Sequence, residues 1–416
     1  MSRASAACAS RWPRADPMSF DSMWATLEQV GRHPGSGGYR RYAWTEEDAI
    51  LREWFTGEAA ARGLDLVEDR VGNQWAWWGD PDAAAEAGRA GVVVGSHLDS
   101  VPDGGAFDGP LGVISAFAAV DTLRAAGFVP DRPVAVVNFI DEEGARFGVA
   151  CSGSRLLTGV LDATRALSLI DGDGVSMAEA LARAGRRTDH LGPDPEALRR
   201  IGAFVELHVE QGRGLVDAEQ AVAVASSIWP HGRWRLDLEG EANHAGTTRL
   251  DDRRDPMLAL AEVITTARHA AHEHSCVATI GKVTVAPNAV NAIPSRVTAW
   301  LDARGPDESG VRAVVAEVAT ASGGVSEESW TNSTAFDPDL RDRLVSVLGG
   351  VPMLATGAGH DAGILAAAGI PTAMLFVRNP TGVSHSPAEH AERADCLAGV
   401  DALSKVIADL AGPDRL

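Results

Sequence analysis

The chain has 416 residues, 45% of them hydrophobic and 23% charged, so it is long enough for more than one domain and has an ordinary globular composition. Its formal net charge of −20 repels nucleic acid and anionic membrane surfaces, which argues against either as a partner. Four widely spaced cysteines without a CxxC pair argue against a disulfide framework and indicate a reducing, cytoplasmic location.

The amino-terminal segment differs in composition from the rest of the chain. It is rich in Ala, Ser, Arg and Pro and lacks the apolar run of a signal peptide, so we interpret residues 1–20 as a flexible leader. No later stretch approaches the roughly 18 consecutive apolar residues of a membrane span. We therefore expect no membrane-inserted segment.

Four short apolar runs, rich in Val, Ile and Phe, predict the buried strands of a parallel sheet. They are GVVVGS (91–96), PVAVVNFI (133–140), AFVEL (203–207) and TAMLFV (372–377). A helical pattern lies between the first two and is followed by Gly127, where a C-terminal cap belongs. The sequence thus predicts an α/β fold with a mostly parallel sheet and helices on both faces, which the amphipathic tail 396–411 completes.

A segment in the second half of the chain has a different pattern, typical of half-exposed antiparallel strands. It contains the alternating stretches RWRLDLEGEA and VTAWLDAR and the helical stretches DPMLALAEVITTARHAAHEH and DESGVRAVVAEVATAS. These predict an inserted α+β domain at 230–338 with the order β, α, β, α. The larger catalytic domain is then expected in two parts, 21–229 and 339–416.

Polar side chains follow each of the four predicted parallel strands. They are His97, Asp99 and Asp108, then Asp141-Glu142-Glu143, then His208, and finally His385. Because the carboxyl ends of parallel strands meet at one edge of a sheet, we expect these groups to converge. Imidazole nitrogens and carboxylate oxygens suit divalent cations, and five such ligands suit two ions better than one. Taken singly, His97-x-Asp99 is equally consistent with a structural hydrogen bond.

The acidic run at 141–143 needs partners if it ends a buried strand. In extended backbone, successive side chains point in opposite directions, so one glutamate can bind a metal while its neighbour faces the substrate as a general base. The alternative is a solvated acidic turn. The spacing alone leaves both interpretations open.

From about residue 40 to the C-terminus the motifs resemble those of the M20 metallopeptidase-like amidohydrolases. Within that family they are similar to the branch of N-carbamoyl-L-amino-acid hydrolases and allantoate amidohydrolases. The motifs, in chain order, are GSHLDSVPDGGAFDGPLGV, DEEGARFG, CSGSR, ELHVEQG, GEANHAGTT, PNAVNAIP, LDAR, GAGHDA and SHSP. So long an ordered series is not expected by chance.

The resemblance implies a centre of two divalent metal ions. It implies that His97 and His208 hold separate metals, that Asp108 bridges them, and that Glu143 and His385 complete the two coordination spheres. Members of the family use zinc, manganese, cobalt or nickel, and a nitrogen and oxygen ligand set does not choose among them.

The resemblance also implies two roles beside the metals. Glu142 matches the general base. Asp99 matches a carboxylate that orients the imidazole of His97, a role that metal-binding histidines generally require.

The inserted domain resembles the lid or dimerisation domain of the family. In it, His244, Asn291 and Arg304 match positions that hold substrate, and outside it Gln211 and His360 match further site positions. An arginine fork suits a carboxylate, and a lid histidine can stabilise an oxyanion. In the family this histidine reaches over the site of the partner subunit, so a homodimer is implied. Without the resemblance, we would interpret His244 as a polar residue at a strand edge and Arg304 as a cation on the protein surface.

Two segments depart from the usual family pattern. After GTT the chain continues Arg249-Leu250 where Pro-Met is common, and SSIWPHGRW replaces a glycine-rich entry into the lid. Both lie near the expected substrate pocket. They leave the details of that pocket open.

The resemblance implies hydrolysis of the carbamoyl C–N bond of N-carbamoyl-L-amino acids or allantoate, which are small ureido substrates with a carboxylate. A metal-activated water would attack and Glu142 would act as the base. One alternative is an aminoacylase or dipeptidase of the same superfamily, and another is a non-catalytic binding protein with this fold. Release of ammonia distinguishes hydrolysis of a carbamoyl group from cleavage of an ordinary amide by an aminoacylase or dipeptidase.

Overall fold

The computed structural model describes residues 19–413, and the chain divides into two compact units. The first comprises the described residues up to Ser226, Phe336–Leu354 and the residues from Gly359 onward. The second comprises Ser227–Ala335 and Ala355–Ala358. The leader expected at 1–20 lies almost wholly outside the described residues.

The described residues form fourteen α-helices and fifteen strands. The helices are α1 (Phe20–Leu27), α2 (Glu46–Ala61), α3 (Pro81–Glu86), α4 (Pro110–Ala125), α5 (Ser152–Thr158), α6 (Ala163–Leu167), α7 (Met177–Arg183), α8 (Pro195–Arg199), α9 (Gly214–Asp217), α10 (Pro256–Glu273), α11 (Glu308–Ser322), α12 (Pro338–Val347), α13 (Asp361–Ala367) and α14 (Arg393–Ala411). The strands are β1 (Asp65–Glu68), β2 (Gln74–Trp78), β3 (Gly91–His97), β4 (Val134–Phe139), β5 (Ile201–Val209), β6 (Val222–Ile228), β7 (His231–Glu239), β8 (Asn243–His244), β9 (Val277–Ala286), β10 (Ala292–Ile293), β11 (Arg296–Arg304), β12 (Ser326–Thr331), β13 (Thr334–Ala335), β14 (Met353–Thr356) and β15 (Thr372–Val377). None of the described helices has both the length and the apolar character that crossing a bilayer requires.

The main sheet has nine strands in the order β1-β2-β4-β3-β5-β15-β6-β13, with β14 paired to β6. Its four central strands, β4, β3, β5 and β15, run parallel, and they are the four strands that the sequence predicts. Strands β1, β2, β6 and β13 pair antiparallel. The expected α/β class with a mostly parallel sheet is therefore confirmed.

Helix α4 connects β3 to β4 and packs against the sheet. It begins with Pro110 in its first turn, and Gly127 follows its end with a φ of 74°. At Gly112 a Cβ atom would lie 2.3 Å from the carbonyl oxygen of Leu207 in β5. Only glycine allows the helix to lie this close to the strand.

The second unit has a four-stranded antiparallel sheet in the order β12-β7-β11-β9. Residues of α10 and α11 pack on it, with Trp234, Leu301, Val263 and Val314 in one apolar cluster. The predicted order β, α, β, α is extended to β, α, β, β, α, β by β9 and β12. Both are edge strands whose side chains are largely exposed, so their apolar alternation is weak.

Candidate metal centre and active site

The carboxyl ends of β3, β4, β5 and β15 bring the predicted metal ligands to one edge of the sheet. His97 ends β3 and pairs with Phe139 of β4, while His208 of β5 pairs with Phe376 of β15. Gly95 pairs with Glu206, so the two histidines lie at the same level of the sheet. Sheet register thus places the imidazoles side by side, with ring centroids 6.0 Å apart.

Asp108 lies between three imidazoles. Its Oδ1 atom is 3.0 Å from Nε2 of His208 and 3.5 Å from Nε2 of His97, and its Oδ2 atom is 3.4 Å from Nε2 of His385. The resemblance implies that His97 and His208 hold separate metals. The structure instead places both on the same oxygen of Asp108, because the register of β3 and β5 aligns them.

The candidate ligands form two groups that share Asp108. One is His97, Asp108 and His208, and the other is Asp108, Glu143 and His385; within each group the ligand atoms lie within 4.8 Å of one another. Nε2 of His385 is 3.6 Å from Oε2 of Glu143. The five predicted metal ligands therefore come together.

The chemistry of these groups fits divalent cations. Nε2 of His97 and of His208 is buried and makes no hydrogen bond of proper geometry, although a carboxylate lies beside each. Burial raises the pKa of Glu143 to about 7, and the hydrogen bond to Asp108 raises the pKa of His385 to about 9. Buried carboxylates crowded in this way favour a cation that neutralises them.

Asp99 lies next to His97 and links two loops. Its Oδ1 atom is 3.3 Å from Nδ1 of His97, and its two oxygens accept the backbone N–H groups of Glu142 and Glu143 at 3.2 and 3.0 Å. It therefore contacts the imidazole on the side away from Asp108. A carboxylate in this place fixes the orientation of a metal-binding imidazole.

Glu142 is buried beside the two ligand groups but belongs to neither. Its Oε2 atom is 3.9 Å from Nε2 of His97, and its Oε1 atom accepts a hydrogen bond from the thiol of Cys151 at 3.3 Å. Burial raises the pKa of Glu142 well above its usual value, against the opposing charge of His97. A carboxyl group with a raised pKa can accept and return a proton near neutral pH.

Gln211 and His360, expected to bind substrate, contact the ligand groups in the structure. The amide of Gln211 donates to Oδ2 of Asp108 at 2.8 Å. The His360 ring is buried with its centroid 4.5 Å from that of His208. Burial, followed by the charge of His208, lowers the pKa of His360 well below its usual value, so the ring is neutral.

Two buried glutamates support the site and are missing from the sequence-based set. Glu389 accepts the N–H of Phe107 at 3.2 Å and of Asp108 at 2.9 Å, so it anchors the loop that carries the shared ligand. Glu206 accepts hydrogen bonds from the hydroxyl of Ser96 and the N–H of Ala362. A glutamate inside the apolar run AFVEL is a signal that could have identified the second one.

In the second unit, His244 and Asn291 are neighbours. His244 lies in β8, which pairs with β10, and the backbone carbonyl of Asn291 accepts the N–H of Ala245. Nδ1 of His244 accepts the N–H of Gly246 at 2.9 Å, so its Nε2 atom is available as a donor. Both residues are exposed.

Arg304 lies in the four-stranded sheet, at the end of β11 away from β10 in the chain. In the ladder of β7 and β11, Arg296 pairs with Glu239 and Arg304 pairs with His231, whereas β8 and β10 form a separate two-stranded sheet that adjoins Arg296 along the chain. Eight residues of extended strand separate the two ends by about 27 Å. The guanidinium of Arg304 donates to Asp302 and to the carbonyl of Gly357. The second unit therefore does not bring Arg304 to His244.

The chain is similar to known proteins over most of its length. A model of peptidase family M20/M25/M40 matches residues 93–409. The N-carbamoyl-L-amino acid amidohydrolase of Geobacillus stearothermophilus is 37% identical, over 92% of this chain and 96% of that protein. The allantoate amidohydrolase of Escherichia coli strain K12 is 31% identical, over 92% and 96%. The crystal structure of a hydantoinase/carbamoylase family amidase from Burkholderia vietnamiensis aligns with a TM-score of 0.82 at 30% identity, over 97% and 100%.

Proposed function

Because the chain belongs to peptidase family M20/M25/M40, we propose that it hydrolyses the carbamoyl C–N bond of N-carbamoyl-L-amino acids or allantoate in the cytoplasm. It is a hydrolase of linear amide C–N bonds. The observation that carries the proposal is the pair of ligand groups sharing Asp108, with the buried carboxylate of Glu142 beside them. The names of the relatives supply the substrate class.

The family is metal-dependent, and the described residues include clusters that could hold metal. We assign His97, Asp108 and His208 to one ion, and Asp108, Glu143 and His385 to a second. Zinc, manganese, cobalt and nickel are the candidates. When bound, two such ions polarise the scissile carbonyl and lower the pKa of water.

Glu142 is the proposed general base. It takes a proton from the water that adds to the carbamoyl carbon, and it returns that proton to the nitrogen as the C–N bond breaks. From an N-carbamoyl-L-amino acid this cleavage gives the amino acid and carbamate, and the carbamate then breaks down to carbon dioxide and ammonia. Asp99 keeps the imidazole of His97 in place during these steps.

The substrate contacts proposed in the second unit require two copies of the chain. We propose that His244 stabilises the oxyanion, that Asn291 binds the amide or carboxylate, and that Arg304 binds the carboxylate. Because the whole length of β11, about 27 Å of extended strand, lies between Arg304 and the segment that carries the other two, one copy cannot place all three on a small ureide. A homodimer in which His244 and Asn291 come from the partner meets this requirement.

A substrate panel on metal-reconstituted enzyme tests the function. Allantoate, N-carbamoyl-β-alanine, several N-carbamoyl-L-amino acids and N-acetyl amino acids are compared, with ammonia release as one readout. We expect ammonia from allantoate or from the N-carbamoyl-L-amino acids. Cleavage of N-acetyl substrates alone would identify an aminoacylase, and turnover of none of them would leave a binding protein.

The variant Glu142→Gln tests the base. Removal of a general base lowers kcat by about 10²- to 10⁴-fold. We expect a loss of this size, while the metal content, measured by atomic emission, stays at the wild-type value. A variant with near-native kcat would refute the assignment.

A further inference from the structure

Cys151 lies in contact with the proposed base. Its thiol is 3.3 Å from Oε1 of Glu142, and its backbone N–H donates to the carbonyl of the same residue. Within residues 19–413, the thiol is the one hydrogen-bond donor recorded for the carboxylate of Glu142. The side chain that orients this carboxylate is therefore a cysteine.

The surroundings of Cys151 differ from those of a cysteine that only fills a core. Cys396 is equally buried, at 2% exposure against 3%, and it packs within the large apolar cluster of the first unit. Cys151 is not part of that cluster, and its sulfur faces a carboxylate instead. A buried thiol is a weak hydrogen-bond donor, and it brings no positive charge to the carboxylate.

The backbone at Cys151 is also unfavourable for a side chain. Its φ is 54°, in the left-handed region where glycine is the least costly residue. Asp141, which precedes Glu142, and His385, one of the proposed ligands, have φ values of 57° and 54°. Non-glycine residues held in this region concentrate at functional sites. A side chain at position 151 is thus retained at a conformational cost.

The contact occupies one oxygen of Glu142 and leaves the other facing the ligand groups. Oε1 receives the thiol, and Oε2 is the oxygen that faces His97, at 3.9 Å from its Nε2 atom. A half-turn about the last bond would only exchange two equivalent oxygens, but a partial rotation would turn both oxygens away from these partners. The thiol donor opposes this rotation and keeps one oxygen directed toward the ligand groups.

From these contacts we propose that Cys151 is a positioning residue, whose thiol holds the carboxylate of Glu142 in the orientation in which it accepts the proton from water. The proposal rests on the proposed function of Glu142. Cys151 does not touch the substrate in this scheme. Its effect is on kcat rather than on substrate binding, because it acts through the base.

The test compares Cys151→Ala, Cys151→Gly and Cys151→Ser with the wild-type holoenzyme, assayed by ammonia release from N-carbamoyl-L-alanine and from allantoate. Loss of orientation of a reacting group can lower a rate by about ten- to a hundredfold. We expect a fall of that size in kcat for the alanine and glycine variants, with KM within about twofold of wild type. The serine variant retains a donor and should recover most of the rate.

The glycine variant separates positioning from stability. It relieves the left-handed backbone while removing the thiol, so its melting temperature should stay near that of wild type even though kcat falls. Cys396→Ala is the matched control, since it removes an equally buried thiol from the apolar core and should leave kcat unchanged.

Two results would overturn the proposal. One is a wild-type kcat in the folded alanine or glycine variant, and the other is a serine variant as slow as the alanine variant. These are distinct from failure of the proposed function, which would appear as a wild-type enzyme inactive on both probes or as an active Glu142→Gln. If the proposed function fails, the proposed role of Cys151 fails as well.

Discussion

Asp108 is the residue on which the candidate centre depends. Both of its oxygens face imidazoles, and Glu389 holds its backbone through two N–H groups of the same loop. Burial opposes the ionisation of Asp108, but the charge of His208 and the neighbouring imidazoles keep its pKa well below the usual range. A permanently ionised carboxylate shared by two ligand groups is suited to bridge two cations.

Metal binding should release protons. The pKa of His385 is raised to about 9 and that of Glu143 to about 7, so at pH 7 the first carries a proton and the second is half protonated. Both must lose these protons to act as ligands. Burial opposes the protonation of His97 and His208, but Asp108 raises the pKa of each, so these two imidazoles add to the count. Metal binding is therefore predicted to release at least about one proton per chain at pH 7 and fewer above pH 9. Calorimetric titration of metal-free protein in two buffers of different ionisation enthalpy measures this number. Binding heats that do not depend on the buffer would contradict the assignment of His385 and Glu143 as ligands.

Asp99 should control metal affinity without being a ligand. Asp99→Ala removes the carboxylate beside His97 and the acceptor for two N–H groups, while the backbone carbonyl of Asp99 stays 3.2 Å from Nδ1 of His97. Loss of such a carboxylate typically weakens metal binding about 10- to 100-fold. Competition with a chelator of known affinity measures the change. Asp103→Ala is the control, because this carboxylate lies on the same loop but pairs with Arg40. Equal affinities for the two variants would rule out the role of Asp99.

At the scale of elements, the site depends on how closely α4 approaches the sheet. Asp108 directly precedes the N-terminus of α4, and at Gly109 a Cβ atom would lie 2.4 Å from the ring of His97. Gly112, one turn later, lies against the carbonyl of Leu207. The helix therefore positions the shared ligand because two glycines allow close packing.

Gly112→Ala should destabilise the fold strongly. The added methyl group would meet a backbone oxygen at 2.3 Å, and neither the helix nor β5 can move without disturbing its neighbours. Overpacking a rigid contact typically costs about 1–3 kcal/mol, and we expect the upper end of that range or more. Urea unfolding with the metal-free protein measures it. Gly172→Ala, where a Cβ atom meets nothing within 4 Å, should change stability by less than about 0.5 kcal/mol; similar losses for both variants would disprove the packing argument.

At the scale of the whole molecule, the second unit has features of an interface. Its edge strand β9 is ten residues long, and along the described chain its outer edge pairs with no other strand. Helix α10 exposes apolar side chains, with Leu258 at 71% and Met257 at 41%. Long unprotected edges and exposed apolar patches are typical of surfaces that pair with another chain. Together with the separation of Arg304 from His244, they support the proposed homodimer.

Leu258→Asp should weaken the dimer and reduce activity together. The charge would be buried without a partner in the interface, so sedimentation velocity at micromolar concentration should show a shift from two chains toward one. Turnover should fall with it, because each site would lose the residues of the partner. Val129→Asp, at a position 78% exposed in the first unit, is the control and should remain dimeric and active. A wild-type protein that sediments as a monomer would reject the model.

The sequence by itself determined the elements whose signal is local. The four central strands are continuous apolar runs, and α4 has its proline and glycine boundaries, so their periods and limits can be read along the chain. The convergence of the five metal-ligand candidates could be predicted because each follows a buried strand, whereas the choice of Glu143 rather than Glu142 as a ligand came from the resemblance. The ordered series of motifs then indicated the family to which the chain belongs.

Only the tertiary structure decided which of these groups meet. The register of β3 against β5 places His97 and His208 on one oxygen of Asp108, and the length of β11 separates Arg304 from His244. The approach of Cys151 to Glu142 depends on a left-handed residue at a loop end. Register, loop closure and packing distance are set by contacts between residues far apart in the chain, so no local pattern records them.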